Sequence, residues 1–181
     1  VFITPTTATP RVYDTTVGWR YENPRLDEKF PIISLGQGAE LIANEMQISR
    51  VEQDEFSLES HRRAVRAIND GKFQSEIIPI TVEGRREKSS EIKLDEHPRY
   101  EKSGSKLKLA ISMEDLAKLR PAFSKDGSVT AGNSSGINDG AAAILLSSKQ
   151  KAKELNLKPK LRWLGSSSTG TDPRYLSLIH I

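Results

Sequence analysis

The sequence predicts an α/β fold, because segments with helical and strand patterns alternate along the chain. The clearest helix begins after Ser49, where Glu52 three residues later completes a capping box. The clearest strand is residues 141–146, which are apolar at every position, as expected of a strand covered on both faces. A helical pattern follows at residues 149–157 and stops before Pro159.

In the first part of the chain, a short helix is predicted at residues 38–47. The helix that begins after Ser49 is expected to end at Gly71, a residue suited to the left-handed conformation that closes helices. His61, beside two arginines, is expected on the solvated face of that helix. Its inward face is predicted from residues at four-residue spacing, namely Phe56, Ser60, Ala64 and Ile68.

Later elements are shorter. Residues 84–106 are almost wholly polar and are predicted to be the most mobile internal segment. Trp163 is expected to pack in the interior. The remaining predicted elements are a strand at 76–82, a helix from Ser112 that Pro121 ends, and strands at 129–131 and 161–164.

Composition limits the function. The formal net charge is +3, but basic and acidic residues alternate as on a solvated surface, so no nucleic-acid partner is expected. The chain has no cysteine, which excludes disulfides, thiolate metal sites and a cysteine nucleophile within it. No apolar run is long enough to span a membrane, and a cytoplasmic setting, or an organellar matrix in a eukaryote, is expected. His97, with Asp95 and Glu96 in a charged loop, offers too few fixed ligands, so no metal is expected either.

One motif dominates the sequence. Residues 119–123 (Leu-Arg-Pro-Ala-Phe) precede a run of small residues at 127–143 that includes Ser135. Small residues let the backbone approach a long narrow ligand, while Ser135 offers a hydroxyl and Phe123 an apolar wall. From the residues alone, a tight strand–turn–strand whose serines cap backbone groups is the favoured interpretation, since such turns are common.

The same motif resembles the signature at the end of the loop domain of thiolases. The resemblance extends from Tyr13 to Pro173, notably to 3-oxoacyl-CoA thiolases of the 3-oxoadipyl-CoA type. The chain is therefore identified as a member of the thiolase family. It is expected to be an internal fragment, because it lacks an initiator methionine and both ends depart from the family pattern. Other segments resemble the family in the same order along the chain, at residues 13–20, 35–40, 48–54, 73–79 and 95–99.

This resemblance implies the thiolase fold, an α/β fold of two similar halves with a loop domain inserted in the first. The loop domain covers coenzyme A. Residues 1–128 would form it, and residues 129–158 would be the closing strand and helix of the first half. Residues 159–181 would begin the second half and end in a tail that departs from the family.

The resemblance also implies a coenzyme A site in this chain, but no catalytic residue. Ser135 would hydrogen-bond the pantetheine arm, and Ala131 and Phe123 would line its channel. Arg99 would approach the adenosine phosphate end. Leu35 stands near the acyl pocket, where the family usually has methionine.

A complete thiolase transfers an acyl group through a cysteine thioester, with a histidine that activates the cysteine and a second cysteine that moves the proton. By the resemblance these groups lie outside the 181 residues, so the chain alone should be inactive. The parent is expected to be an acyltransferase of lipid and fatty acid metabolism, working by 3-oxoacyl-CoA thiolysis or Claisen condensation. Coenzyme A and acyl-CoA would be substrates rather than bound cofactors, and a homodimer or homotetramer is expected. The alternative is a non-catalytic acyl-CoA-binding or interaction module, which the lack of cysteine favours.

Overall fold

The computed structural model describes residues 2–3, 12–13, 23–31, 33–84, 89–170 and 172–175. The strands pair two by two and antiparallel: β1 with β2, β3 with β4, and β5 with β6. Within these residues the sheets are therefore two-stranded ribbons. In chain order the elements are β1 (Phe2–Ile3), β2 (Val12–Tyr13), α1 (Pro24–Asp27), α2 (Leu35–Glu45), α3 (Arg50–Asn69), β3 (Ile80–Val82), β4 (Ser90–Ile92), β5 (Tyr100–Ser103), β6 (Lys106–Leu109), α4 (Met113–Ala117) and α5 (Lys149–Glu154).

The chain divides into two compact units. The first comprises Val1–Ser135 with Asp172–Ile181, and the second is Gly136–Thr171. The second unit contains α5, and the other described elements belong to the first. None of the helices in the described ranges is both long and apolar enough to cross a membrane.

The helix starts follow directly from short sequence patterns. The predicted capping box at Ser49 is confirmed, since its side chain accepts from the backbone N–H of Glu52 and the Glu52 carboxylate accepts from the Ser49 N–H. The helix closes as predicted, with Gly71 at a positive φ of 68°. Helix α2 begins three residues before the predicted start, because Ser34 and Gln37 form a second capping box.

The core of the first unit lies where α2, α3 and α4 meet the chain that follows α4. Its apolar part is small, so buried polar groups take a large share of the packing. The buried apolar residues of this unit are Ala43, Val65, Leu116 and Val129, and the buried polar ones are Glu40, Asp54 and Thr130.

The predicted inward face of α3 is wrong. Phe56 is 80% exposed, whereas the buried residues of this helix are Asp54 and Val65. His61 was expected on the solvated face and is instead half-buried. The reason is that the segments packed on α3 present backbone N–H and C=O groups, which select polar partners over an aromatic ring.

Two predicted strands of the first unit are shorter than expected. The strand at residues 76–82 is confirmed only at β3, because the chain keeps turning after α3 and the Ile77 N–H bonds the Phe73 carbonyl at 3.0 Å. The predicted strand at 129–131 is reduced to a single antiparallel bridge between Pro121 and Thr130. The predicted helix from Ser112 is confirmed at α4, but it ends at Ala117 rather than at the proline.

The polar segment at 84–106 contains regular structure. It holds β4 and β5, and the hairpin of β5 with β6 is fixed to the end of α3. The Asn69 amide donates to the Leu107 carbonyl at 2.8 Å and accepts from the Leu107 N–H at 2.9 Å. Residues 85–88 lie outside the described ranges, and the expected mobility of the segment stays a prediction.

In the second unit the predicted strands at 141–146 and 161–164 are wrong. Both segments are irregular, and the predicted helix at 149–157 is confirmed only over α5. Leu145 is 84% exposed, and Trp163, expected in the interior, is 73% exposed. A strand is held by hydrogen bonds to a neighbouring strand, and the described residues of this unit supply none. An apolar composition alone therefore does not produce a strand.

Candidate functional site

One face of α3 carries a row of polar side chains at helical spacing, Arg50, Asp54, Ser57 and His61, which we call the polar face. Residues three or four apart lie on the same side of a helix, so these four side chains form one line. Together they bond three segments of the first unit: the end of α4, the loop at residues 127–135 and the loop that carries Arg99. The polar face therefore determines where those segments lie.

The N-terminal part of the polar face binds the end of α4 and the loop at residues 127–135, which we call the signature loop. The Arg50 guanidinium donates to the carbonyls of Leu116 and Leu119 at 2.6 and 3.1 Å. It also pairs with Asp54 at 2.7 Å, and the other oxygen of that carboxylate accepts from the Asn133 amide at 2.9 Å. Because Asp54 is only 2% exposed, these are interior bonds that water does not replace.

The C-terminal part of the polar face holds the segments that carry the predicted site residues. The Ser57 hydroxyl donates to the Gly132 carbonyl at 2.7 Å, next to Ala131. One turn later, His61 Nδ1 accepts the backbone N–H of Arg99 at 3.3 Å. The four residues from Ser57 to His61 correspond to about 6 Å along the helix axis. The structure thus brings Arg99 and the 131–135 segment to the same side of α3.

The signature loop is also fixed from within. Thr130 is fully buried, and its N–H donates to the side-chain oxygen of Asn133 at 2.7 Å. Its hydroxyl accepts from the Gly132 N–H, and its carbonyl accepts from the Ser134 hydroxyl at 2.6 Å. These bonds engage the side chains of Thr130, Asn133 and Ser134 and brace the loop from within. Within the described residues, the next hydroxyl, that of Ser135, has no hydrogen-bond partner and is exposed.

Helix α2 anchors the start of the same loop through a buried carboxylate. Glu40, 6% exposed, accepts the N–H groups of Ser128 and Val129, at 2.8 Å for the latter. Gln53 of α3 donates to the Ser128 hydroxyl at 2.8 Å, so both helices hold this residue. A Cβ on Gly127 would overlap the Glu40 carboxylate, which explains the need for glycine there.

Phe123 lies on α2 rather than on α3. It is held there because the neighbouring Ala122 N–H donates to the Val129 carbonyl at 2.9 Å. Its ring packs so closely on Gly36 that a Cβ at that position would overlap it, yet the side chain stays 39% exposed. Leu35, the residue before this glycine, is exposed as well.

The five predicted site residues therefore fall into two groups. Arg99, Ala131 and Ser135 lie along α3, while Phe123 and Leu35 lie at the N-terminal end of α2. All five are at least partly exposed, and the Arg99 guanidinium forms no ion pair within the described part of the chain. Their convergence on one groove stays a prediction. Sequence reasoning missed the polar face, although its spacing was visible in the sequence.

His61 has one electrostatic feature of its own. Burial lowers the pKa of its imidazole below the ordinary value of 6.5, and electrostatic interactions with the His97 ring and the Arg99 guanidinium lower it further. The two histidine rings have centroids 5.9 Å apart and are tilted by 38°. Among the described residues, no cluster of three or more histidine, cysteine or acidic side chains is placed to hold a metal ion.

Comparison with known proteins identifies the family. The family profile described as the N-terminal domain of thiolase matches residues 21–150, which is more than half of the chain. The chain belongs to the thiolase family. The match includes the polar face, the signature loop and four of the segments that carried the resemblance. The remaining segment, at residues 13–20, lies before the start of this match, and Tyr13 is its one residue within the described ranges.

Individual thiolases agree with this membership. The β-ketoadipyl-CoA thiolase of Pseudomonas aeruginosa is 39% identical over 93% of this chain, which corresponds to 39% of that protein. A 3-oxoadipyl-CoA/3-oxo-5,6-dehydrosuberyl-CoA thiolase of Escherichia coli is 36% identical over 92% of the chain and 39% of its own length. A probable acetyl-CoA acyltransferase of Staphylococcus aureus is 43% identical over 84% of the chain and 37% of its own length. The chain thus spans about 40% of the length of these thiolases.

Solved thiolase structures confirm the expected fold class. The acetyl-CoA acetyltransferase of Bacillus anthracis superposes with a TM-score of 0.60 at 41% identity, over 81% of this chain and 36% of that one. The enzyme of the same name from Syntrophomonas wolfei gives 0.54 at 40% identity, over 70% of this chain and 29% of that one. The mixed helices and strands described above are therefore part of a thiolase fold.

Proposed function

We propose that this chain is the coenzyme A-binding part of a thiolase that transfers an acyl group between an acyl-CoA and coenzyme A. The observation that carries the proposal is the polar face of α3. It holds Arg99 and the signature loop on one side of the helix, and among the residues that the structure describes neither the Arg99 guanidinium nor the Ser135 hydroxyl has a partner. A cation and a neutral hydroxyl on the same side of a helix suit a ligand with phosphates at one end and amides along its arm.

Each site residue has a role in this proposal. Ser135 hydrogen-bonds the pantetheine arm, and Ala131 and Phe123 form walls of its channel. Arg99 meets the adenosine phosphate end, and Leu35 borders the acyl pocket. Support comes from thiolase membership and from the rigid, internally bonded loop that precedes Ser135. Coenzyme A and acyl-CoA are then substrates, and the names of the relatives favour a 3-oxoacyl-CoA such as 3-oxoadipyl-CoA.

The rest of the proposal concerns the whole enzyme. The cysteine that carries the acyl group comes from polypeptide outside these 181 residues, because the chain has no cysteine. A cytoplasmic homodimer or homotetramer remains the expected setting. Its support is the family membership together with the bacterial origin of the relatives.

Substitutions at the predicted ligand contacts test the proposal in the full-length enzyme. We expect Arg99→Ala to weaken coenzyme A binding by about tenfold, because a charge-assisted bond to phosphate is lost. Ser135→Ala should weaken coenzyme A binding by about fivefold, which corresponds to the loss of one neutral hydrogen bond. Isothermal titration with coenzyme A gives both numbers.

The matched control is Arg63→Ala. Arg63 lies on α3 but pairs with Glu59 at the surface, so its loss should leave coenzyme A affinity unchanged. Equal affinities for the Arg99 and Arg63 variants would contradict the proposed role of Arg99.

The isolated 181-residue chain should have no thiolase activity. Without a cysteine no thioester intermediate forms, so acetoacetyl-CoA and coenzyme A should give no acetyl-CoA above background. The full-length enzyme, assayed in parallel, is the positive control. Turnover by the purified chain alone would show that the chemistry does not need the residues outside it.

A further inference from the structure

His61 is the residue of the polar face that bonds Arg99, and this bond depends on the protonation state of its ring. Its Nδ1 accepts the Arg99 N–H at 3.3 Å, which requires a neutral ring with its proton on Nε2. Ser57, one turn earlier, bonds the signature loop through a hydroxyl, which does not change its charge in the ordinary pH range. The position of Arg99 therefore rests on a group that titrates near neutrality.

The surroundings of His61 oppose a positive charge. His97 and Arg99, both on the loop between β4 and β5, are the titratable groups whose electrostatic interaction with the ring opposes its protonation. The other elements packed on α3, namely β6 and α4, contribute no charge to this effect within the described residues. A proton on Nδ1 would remove the acceptor for the Arg99 N–H and place a positive charge in a half-buried site near the Arg99 guanidinium.

We propose that neutral His61 is a positioning residue that holds Arg99 at the phosphate end of coenzyme A, so that coenzyme A binds more weakly once the imidazole is protonated. This inference rests on the proposed function of Arg99. The direction follows from the chemistry: the bond is intact at neutral and alkaline pH and is lost as the pH falls below 6.5, the ordinary value from which the pKa of His61 is lowered.

The experiment measures coenzyme A affinity of the full-length enzyme between about pH 8 and about pH 5.5. His61→Gln is the matched variant, because a glutamine oxygen can accept the Arg99 N–H but does not titrate. The phosphates of coenzyme A titrate equally in both proteins, so the ratio of the two affinities isolates the histidine. We expect wild type to lose about fivefold more affinity than His61→Gln over this range, the value of one hydrogen bond.

Two further measurements locate the effect. His97→Gln should keep the loss of affinity at acid pH but move it to higher pH, because the electrostatic interaction with His97 that lowers the pKa of His61 is gone. With 3′-dephospho-CoA the difference between wild type and His61→Gln should disappear, since the phosphate that Arg99 meets is absent.

The outcomes separate this inference from the proposed function. If wild type binds coenzyme A and His61→Gln shows the same pH dependence, the role of His61 is refuted and the proposed function stands. If the difference persists with 3′-dephospho-CoA, the link from His61 to the phosphate through Arg99 is refuted. If wild type does not bind coenzyme A even at about pH 8, both proposals fall.

Discussion

Substituting Asp54 by alanine should lower the free energy of unfolding by about 3–5 kcal/mol, the cost of removing one partner from a buried ion pair. The Asp54 carboxylate is 2% exposed and bonds both Arg50 and the Asn133 amide. Its loss leaves the Nε of Arg50 without an acceptor and removes one of the bonds that hold the signature loop to α3. A loss of this size is comparable with the whole stability of many domains, which is about 5–15 kcal/mol.

Urea denaturation of the full-length enzyme, followed by circular dichroism, measures this effect. Asp54→Asn should lower the free energy of unfolding by an intermediate amount, because it keeps an oxygen for Asn133 but loses the charge that faces Arg50. Glu59→Ala is the control. Glu59 is an acidic residue of the same helix that pairs with Arg62 and Arg63 at the surface, and its removal should leave the unfolding midpoint unchanged. If Asp54→Ala unfolds at the same urea concentration as this control, the polar face does not hold the fold together.

The isolated 181-residue chain should associate in solution through its second unit. Apolar side chains there lie almost fully in water, including Ile144 and Leu145 at 84% exposed and Leu161 at 93%. Burying apolar surface gains about 25 cal/mol per Å², so covering several such side chains amounts to several kcal/mol. Exposed apolar surface on this scale is typical of an interface, and in the full-length enzyme we expect other parts of the protein to cover it.

Sedimentation velocity and light scattering of the chain test this expectation. The double variant Leu145→Ser with Leu161→Ser should shift the chain towards monomer. Phe56→Ser should not, because Phe56 lies on α3 outside the second unit, and scattered exposed apolar residues are common on monomeric proteins. A monodisperse wild-type monomer would mean that the exposed side chains do not drive association.

Local features of this protein were determined by the sequence alone. The capping box of Ser49 with Glu52 and the left-handed Gly71 involve groups at most a few residues apart. Their hydrogen bonds and backbone angles depend on neighbouring residues only, so sequence patterns predict them correctly. The small-residue signature likewise indicated the family, because its order and composition are independent of packing.

Tertiary structure decided the rest. The inward face of α3 is polar because its partners are backbone groups and side chains far away in sequence, 79 residues between Asp54 and Asn133 and 38 between His61 and Arg99. Periodicity reports how apolar a face is, but it does not report which distant carbonyls and N–H groups will meet it. The structure of the apolar segment at 141–146 also depends on distant partners. Its composition suits a buried strand, but a strand exists only when a neighbour supplies the other half of each hydrogen bond.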